Sequence, residues 1–378
     1  MIIARTIESF YPYISGPANQ AYMISSLLEK NSISSPILTT DYMAEGSPSQ
    51  EEKANVNVRR FPVKAGFMRF LYTPELKKRL NAMDFDIAHA HNYRNYQAEV
   101  AYSVAKAKKK PFVLHAHGSL IGYKHITTGI SKMPYLAYDL ISRKRAALQA
   151  DAVIVSSRQE KEEALAFGVE EERLHIIPMG IDVRKYCSES KAGDMLRLLF
   201  VGRITRDRNL FPILDAMQRL HDDKISLKIV GGKAKRSSTE KDGYYEELMD
   251  YAKKNKLNVE FTGELSGDRL IDAYKSADAF IYTSVWENFG QTILEAAASG
   301  LPVISTPVGI APEIVDENTG FLLGSADPEE IALAIRKLKE PKIRSEMGET
   351  IVRRVKRDYN WQDIMMRYEK LYLSLFKR

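Results

Sequence analysis

Tyr282-Thr-Ser-Val-Trp-Glu-Asn-Phe-Gly-Gln-Thr-Ile-Leu-Glu295 changes character midway. Its first residues continue the apolar run that starts at Ala279, and that run reads as a buried strand ending at Thr283. From Gln291 the pattern becomes helical and runs to Ser299, with Gly290 at the opening. Backbone N–H groups at a helix start lack intrahelical partners, and the helix dipole adds partial positive charge, so such a start binds phosphate. Glu287 stands before the helix, where it can accept hydrogen bonds from a sugar. Glu295 stands in the second turn, far enough along to reach past a phosphate towards a ribose hydroxyl. Two carboxylates eight positions apart therefore bracket an anion site at the end of a strand.

The same alternation of strand and helix runs along the chain, as in parallel α/β domains. Strands are expected at Ile2–Thr6, Pro36–Thr40, Val56–Phe61, Ile87–Ala90, Phe112–Ala116, Ala152–Ser156 and Leu174–Ile177. Helices are expected at Pro17–Lys30, Tyr93–Lys109, Met133–Gln149 and Arg158–Phe167. The pattern restarts with strands Leu196–Val201, Leu227–Val230, Val259–Phe261, Ala279–Thr283, Val303–Ser305 and Phe321–Leu323, separated by helices. The polar stretch Asp182–Asp194 reads as a linker. Near the end, Trp361, Met365, Tyr368, Leu371, Tyr372 and Leu375 recur at helical spacing after Asn360, a capping residue. Two readings stay open for that helix: a plain amphipathic terminus, or a segment that crosses back and docks on the first domain.

Length and composition agree with two domains. The chain has 378 residues, 44% of them hydrophobic and 28% charged, the balance of an ordinary globular protein. One cysteine, Cys187, excludes an internal disulfide and favours a cytoplasmic compartment. The N-terminus opens directly on a strand and lacks the order of a signal peptide, and no apolar run is long enough to span a bilayer. Charge is uneven: residues 53–145 carry 18 basic and 5 acidic side chains, a balance of +13. An anionic membrane, an acidic acceptor or nucleic acid would answer that bias. No nucleic-acid module accompanies it, so no nucleic-acid partner is expected.

The deciding stretch also resembles a known family. Glu287 and Glu295 match the E-x7-E motif of the retaining GT-B glycosyltransferases of family 4. Four further pieces are similar, in the family's order: Phe200-Val-Gly202-Arg203, Gly300-Leu-Pro302-Val-Ile, Gly309-Ile-Ala-Pro312-Glu313 and Thr319-Gly320-Phe-Leu. The resemblance implies a GT-B architecture: two Rossmann-like parallel-sheet α/β domains facing across a cleft, with the C-terminal helix crossing back to the first. Residues 1–187 would form the acceptor-side domain, 188–357 the donor domain and 358–378 the returning helix.

The resemblance also assigns roles. Glu295 is expected to hold the donor ribose and Glu287 the transferred sugar. The amides of Phe289, Gly290 and Gln291, with Asn288 and Thr292 beside them, are expected to line the diphosphate and sugar. Gly202 opens the turn to Arg203, which with Arg208 would neutralise the diphosphate; the family commonly has Lys at the second position and Gly at that of Asn288. In Phe112-Val-Leu-His-Ala-His117-Gly118, His117 resembles the family's active-site histidine beside the transferred sugar. Gly16 resembles the N-terminal glycine loop, and Gly231-Gly232 the lining of the base pocket. His115 reads as core, and His89 and His91 as hydrogen-bonded packing, His91 being the better outside candidate of the two.

The implied reaction moves a sugar from a nucleotide-diphosphate sugar to a lipid-linked acceptor or a growing glycan, with retention. The second domain has neither an Asp-x-Asp motif nor metal-ligand spacing, so neither metal nor cofactor is expected. Three other readings remain open: a sugar-nucleotide epimerase, a phosphorylase or polysaccharide synthase, and a non-catalytic sugar-nucleotide-binding scaffold. The +13 region contains Val63-Lys-Ala-Gly-Phe67-Met68-Arg69-Phe70-Leu71-Tyr72 and Lys77-Lys78-Arg79. It fits peripheral contact with an anionic membrane at the cytoplasmic face, or equally an aromatic core segment with solvated lysines.

Overall fold

A computed structural model describes residues 1–13, 15–67, 69–127, 129–186, 193, 195–232 and 243–377. The chain divides into two compact units, Met1–Met179 with Gln362–Arg378, and Gly180–Trp361. Each is built on a parallel sheet covered by helices.

The first unit contains β1 Ile3–Thr6, β2 Ile37–Thr40, β3 Gln50–Lys53, β4 Val56–Phe61, β5 Ala65–Phe67, β6 Phe70–Tyr72, β7 Ile87–His91, β8 Phe112–His115, β9 Ala152–Val155 and β10 Leu174–Ile176. Eight of them form one sheet in the order β10-β9-β8-β7-β1-β2-β4-β3. All pairs are parallel except β3 with β4. β3 escaped sequence reading because Gln50-Glu-Glu-Lys53 carries no apolar pattern: it is an exposed edge hung on β4. β5 and β6 form a separate hairpin.

The second unit contains β11 Leu196–Val201, β12 Ile225–Val230, β13 Val259–Gly263, β14 Ala279–Tyr282, β15 Val303–Ser305 and β16 Gly320–Leu322. They form an all-parallel sheet in the order β13-β12-β11-β14-β15-β16. β14 is buried along its length and β11 at every residue but Arg197, which explains their apolar sequences. In each sheet the strand order turns back at one place, between β1 and β7 and between β11 and β14. Open α/β sheets bind ligands at the carboxyl ends of such strands.

Several helix limits differ from the sequence expectation, each for a backbone reason. The helix expected from Tyr93 starts at Tyr96, because Asn95 caps it by accepting the Ala98 N–H at 2.7 Å, while Arg94 is left-handed at φ 61°. The helix expected over Met133–Gln149 breaks into Met133–Ser142 and Arg145–Leu148, because Arg143 and Lys144 are both left-handed. The expected linker Asp182–Asp194 is already part of the second unit where it is described: Val183–Tyr186 is helical and Tyr186 packs on Tyr274 with centroids 6.0 Å apart. Cys187 and the expected boundary at 187/188 lie outside the described residues.

The terminal helix Trp361–Phe376 buries Ile364, Met365, Tyr368, Leu371, Tyr372 and Leu375 in the first unit. Its tyrosines reach the sheet: Tyr372 Oη lies 3.2 Å from Arg5 Nη2, and Gln20 donates to Tyr368 Oη at 3.3 Å. Asn360 closes the helix before it, donating to the carbonyls of Lys356 and Arg357.

Candidate functional site

In the second unit, sequence-local features become a built site. β14 ends at Tyr282, and the loop after it is tied to the 206–209 turn. Thr283 Oγ1 donates to the Asn209 carbonyl at 2.8 Å, Ser284 Oγ to that of Asp207 at 3.0 Å, and the Val285 N–H to the same oxygen at 2.9 Å. This places Arg208 beside Glu287, with Nη1 at 3.3 Å from its carboxylate. Arg208 is buried and also lies 3.3 Å from Asp207. Its Nη1 donates to Ser284 at 2.8 Å, while its Nε is buried with no hydrogen-bond partner among the described residues. An orphaned donor on a buried cation is a costly feature that an anion would relieve. Tyr282 Oη donates to Glu287 at 2.7 Å. Arg203, by contrast, is exposed at the end of β11.

The helix Gln291–Ala298 opens at Gly290, whose φ is +83°. Glu295 is buried under its first turns. Its two oxygens accept from Tyr274 Oη at 2.8 Å and from Gln291 Nε2 at 3.0 Å, and Tyr186 adds a third hydrogen bond. Burial pushes its carboxyl up to about 7, although the three hydrogen bonds favour the ionised form. A carboxylate offers about four acceptor positions, so one remains for a hydroxyl. Asn288, Gln291 and Thr292 are half-buried around the helix start, and Phe289 is buried.

Glycines bring backbone close to this site. Gly309 is left-handed at φ +56°, and a Cβ there would strike the Phe289 carbonyl. Ile310, standing where the family has a second glycine, donates its N–H to Phe289 at 2.8 Å, so the loop is held by backbone rather than by a second glycine. At the neighbouring strand end a Cβ on Gly231 would run into the Gly202 carbonyl. Gly202 and Gly231 thus pack backbone to backbone at the ends of β11 and β12.

The first unit holds a different constellation, assembled from distant residues. Arg5, in the middle of β1, is fully buried. Its Nε donates to Ser25 at 3.0 Å, and its Nη1 lies 3.0 Å from both His89 Nδ1 and His91 Nε2. His89, His91, His115 and His117 form a stacked column, with His115 and His117 centroids 3.9 Å apart. Nitrogens of His89, His91 and His115 lie within 4.8 Å of one another, the arrangement of a loose metal cluster. The guanidinium already occupies acceptor positions on two of these rings and opposes a further cation, so this is a cation-centred core.

That cation sets proton positions. A guanidinium only donates, so His91 Nε2 accepts, and a neutral His91 carries its proton on Nδ1. His91 Nδ1 lies 2.8 Å from His117 Nε2, which must therefore accept, leaving the His117 proton on Nδ1. Burial, with help from Arg5 and the other rings, holds His89, His91 and His115 well below the usual histidine range. Desolvation, then Arg69 and Arg5, lower His117 to about 3. His117 itself is half-buried and left-handed at φ 51°, a strained conformation in the loop after β8. The N–H of the next residue, Gly118, is held by the buried carboxylate of Glu160.

At the end of β1, Glu8 is buried and accepts from Asn92 Nδ2 at 2.9 and 3.1 Å and from Asn95 Nδ2 at 3.3 Å, while Arg69 lies at 3.5 Å. Sequence reasoning missed Arg5, Glu8, Asn92 and Arg69. An arginine inside a four-residue apolar strand, and a carboxylate just past its carboxyl end, were the available signals. His91, read as hydrogen-bonded packing, is fully buried and lies against His117. Gly16 starts the helix Gly16–Lys30 behind a Ser15 cap, and a Cβ there would meet nothing within 4 Å, so the helix start is open.

Comparison with known proteins places both units. The family model described as "Glycosyl transferases group 1" matches residues 188–354, and that described as "Glycosyltransferase Family 4" matches residues 14–185. An uncharacterised glycosyltransferase of Methanocaldococcus jannaschii is 27% identical, over 98% of each chain. Among solved structures, a sucrose-phosphate synthase from Thermosynechococcus elongatus superposes with a TM-score of 0.82 at 21% identity, over 99% of each chain. HepE of Anabaena, in complex with UDP and glucose, superposes at 0.78 with 18% identity, over 99% of this chain and 100% of that one.

Proposed function

The chain belongs to the glycosyl transferases of group 1 and is a glycosyltransferase of GT-B fold, and from that premise we propose that it takes its sugar from a nucleotide-diphosphate donor held by the second unit. The observation that carries this reading is the helix start at Gly290, bracketed by Glu287 and Glu295 at the end of β14. Glu295 receives the ribose at its remaining acceptor position, and the amides heading the 291–298 helix receive the diphosphate. Glu287 receives the transferred sugar. Arg208, with its orphaned Nε, and the exposed Arg203 supply positive charge as the phosphate departs. The UDP bound by HepE is in keeping with a uridine donor.

The reaction proposed is transfer with retention. The bond between the anomeric carbon and the diphosphate oxygen breaks, an acceptor hydroxyl bonds to the same face, and its proton passes to the leaving phosphate. His117, neutral and protonated on Nδ1, is the first unit's candidate for a part in the transfer. No metal takes part in this proposal. The acceptor is a glycan or a lipid-linked molecule bound by the first unit, with the protein peripheral on the cytoplasmic face of a membrane. Among the described residues no helix is long and apolar enough to cross one.

A panel of nucleotide sugars in the presence of EDTA tests the reading. A transferase slowly hydrolyses its own donor, with release of nucleoside diphosphate and of sugar in its original anomeric form. Interconversion of two donors would instead identify an epimerase, and binding without turnover a scaffold.

A further inference from the structure

The helix Met133–Ser142 is turned the wrong way for a helix of a protein surrounded by water. Its inward face is polar and firmly held. Asp139 is buried against Arg94, with Nε at 2.9 Å and Nη2 at 2.7 Å, and Tyr138 donates to Glu99 at 2.7 Å. Its outward face is the apolar one: Met133, Leu136, Ala137, Leu140 and Ile141 are all exposed, at the i, i+3, i+4, i+7 and i+8 spacing of a single stripe. Leu140 and Ile141 are each 80% exposed, and Ile130, just before the helix, 87%. The buried ion pair prevents the helix from rolling this stripe inward. A contiguous apolar surface fixed in that orientation marks a contact surface.

The neighbouring hairpin shares the feature. Phe70 packs on Tyr138 with centroids 6.1 Å apart and Leu71 is buried, so those residues join the core. Phe67 points outward at 70% exposure, and Met68 lies outside the described residues.

The charge around the stripe is of one sign. Residues 124–145 carry Lys124, Lys132, Arg143, Lys144 and Arg145, and their one acidic residue, Asp139, is committed to Arg94. A second copy meeting this face about a two-fold axis would bring like charges together. An anionic bilayer satisfies both features, taking the apolar stripe into its headgroup boundary and the cations against its lipid phosphates.

We propose that the outward face of the Met133–Ser142 helix, with Ile130 and Phe67, is the surface by which the protein lies on an anionic membrane. This deepens the peripheral reading proposed above and rests on it.

The test is co-sedimentation of the full chain with phosphatidylcholine vesicles, with and without phosphatidylglycerol. The variants are Leu136→Ser/Leu140→Ser/Ile141→Ser and Arg143→Ser/Arg145→Ser. Wild type should pellet only with the anionic vesicles and should be released by salt. Each variant should lose about tenfold or more in binding, while keeping wild-type donor hydrolysis in vesicle-free solution as the check on folding. The proposal is overturned if wild type ignores anionic vesicles, if the apolar triple variant binds as wild type does, or if wild type is a dimer that this variant dissolves. Donor hydrolysis is read separately: vesicle binding without it would contradict the proposed function alone, and hydrolysis without vesicle binding the proposed surface alone.

Discussion

The two strand-end constellations are assembled in different ways. That of the second unit is made of carboxylates, glycines, a helix start and the buried Arg208. Glu287 and Glu295 stand eight positions apart in one strand–loop–helix segment, and glycine backbones crowd against it. That of the first unit is made of cation and imidazole. A buried Arg5 sits under four stacked histidines, and its nearest chemistry comes from residues as distant in sequence as Ser25, His91 and Tyr372. One is written in a short stretch of chain, and the other exists only once β1, β7, β8 and the terminal helix have met. A contiguous site tolerates change elsewhere in its domain, whereas a site gathered from the whole domain shares its energetics with the core.

The sharpest way to break this contrast is to remove the cation. Arg5→Met leaves Ser25, Ser35, His89, His91 and Tyr372 without their buried donor, so the first unit should lose about 3 to 5 kcal/mol. Both tryptophans, Trp286 and Trp361, lie in the second unit. In denaturant the variant's circular dichroism should therefore begin to fall before its tryptophan fluorescence changes. Coincident transitions at the wild-type midpoint would show that the cation does not hold the first unit.

The two units should also answer pH in opposite directions. Glu295 has its carboxyl raised to about 7 by burial, so the folded state binds its proton more tightly than the unfolded state. This contribution is full below the ordinary carboxylate range and is lost as pH rises through about 7, a change of about 3 kcal/mol. The column histidines are depressed, His117 to about 3. The unfolded chain therefore takes up protons that the fold refuses, and the first unit loses stability as pH falls below about 6.5. Glu160, also raised to about 7 by burial, opposes part of that loss. Melting followed by tryptophan fluorescence and by circular dichroism between pH 5 and 8, pH values set by these ranges, should show the two trends diverging. Parallel trends would contradict the assignment of charge states.

Gly309→Ala tests how far the second site depends on close backbone approach. Its left-handed φ and the collision with Phe289 should cost about 1 to 3 kcal/mol of stability in the second unit and weaken donor binding, with the first unit's transition unchanged. The smallest effect is expected at Lys77, Lys78 and Arg79, which are exposed on the helix Pro74–Ala82. Changing all three to Ser should move stability by no more than about 0.5 kcal/mol and reduce binding to anionic vesicles less than the 136–140–141 variant does.

The contrast also explains what could be read from sequence. Most strands of both sheets were legible as apolar runs, with Gln50–Lys53 the exception in the large sheet, and the 282–295 segment stood out because its features are local: strand end, glycine, helix start and two carboxylates fall within one window. The histidine column was half legible. His117 and His115 stood out after β8, but only the sheet pairing of β7 with β8 brings His91 onto His117. Arg5 and Glu8 were illegible because their meaning depends on residues more than eighty positions away. The apolar stripe at Met133–Ile141 shows the converse limit. A helical period shows that one face is apolar, and here the Arg94–Asp139 pair turns that face outward.

The most direct test of the central claim is calorimetric titration of nucleoside diphosphates, uridine diphosphate first, into wild type and Glu295→Ala. If the helix start between Glu287 and Glu295 holds the donor, one nucleoside diphosphate binds wild type with EDTA present. Loss of a hydrogen bond to a buried carboxylate then weakens it by about ten- to a hundredfold in a variant that still melts cooperatively. Equal affinity in the two proteins would place the donor elsewhere and contradict the account.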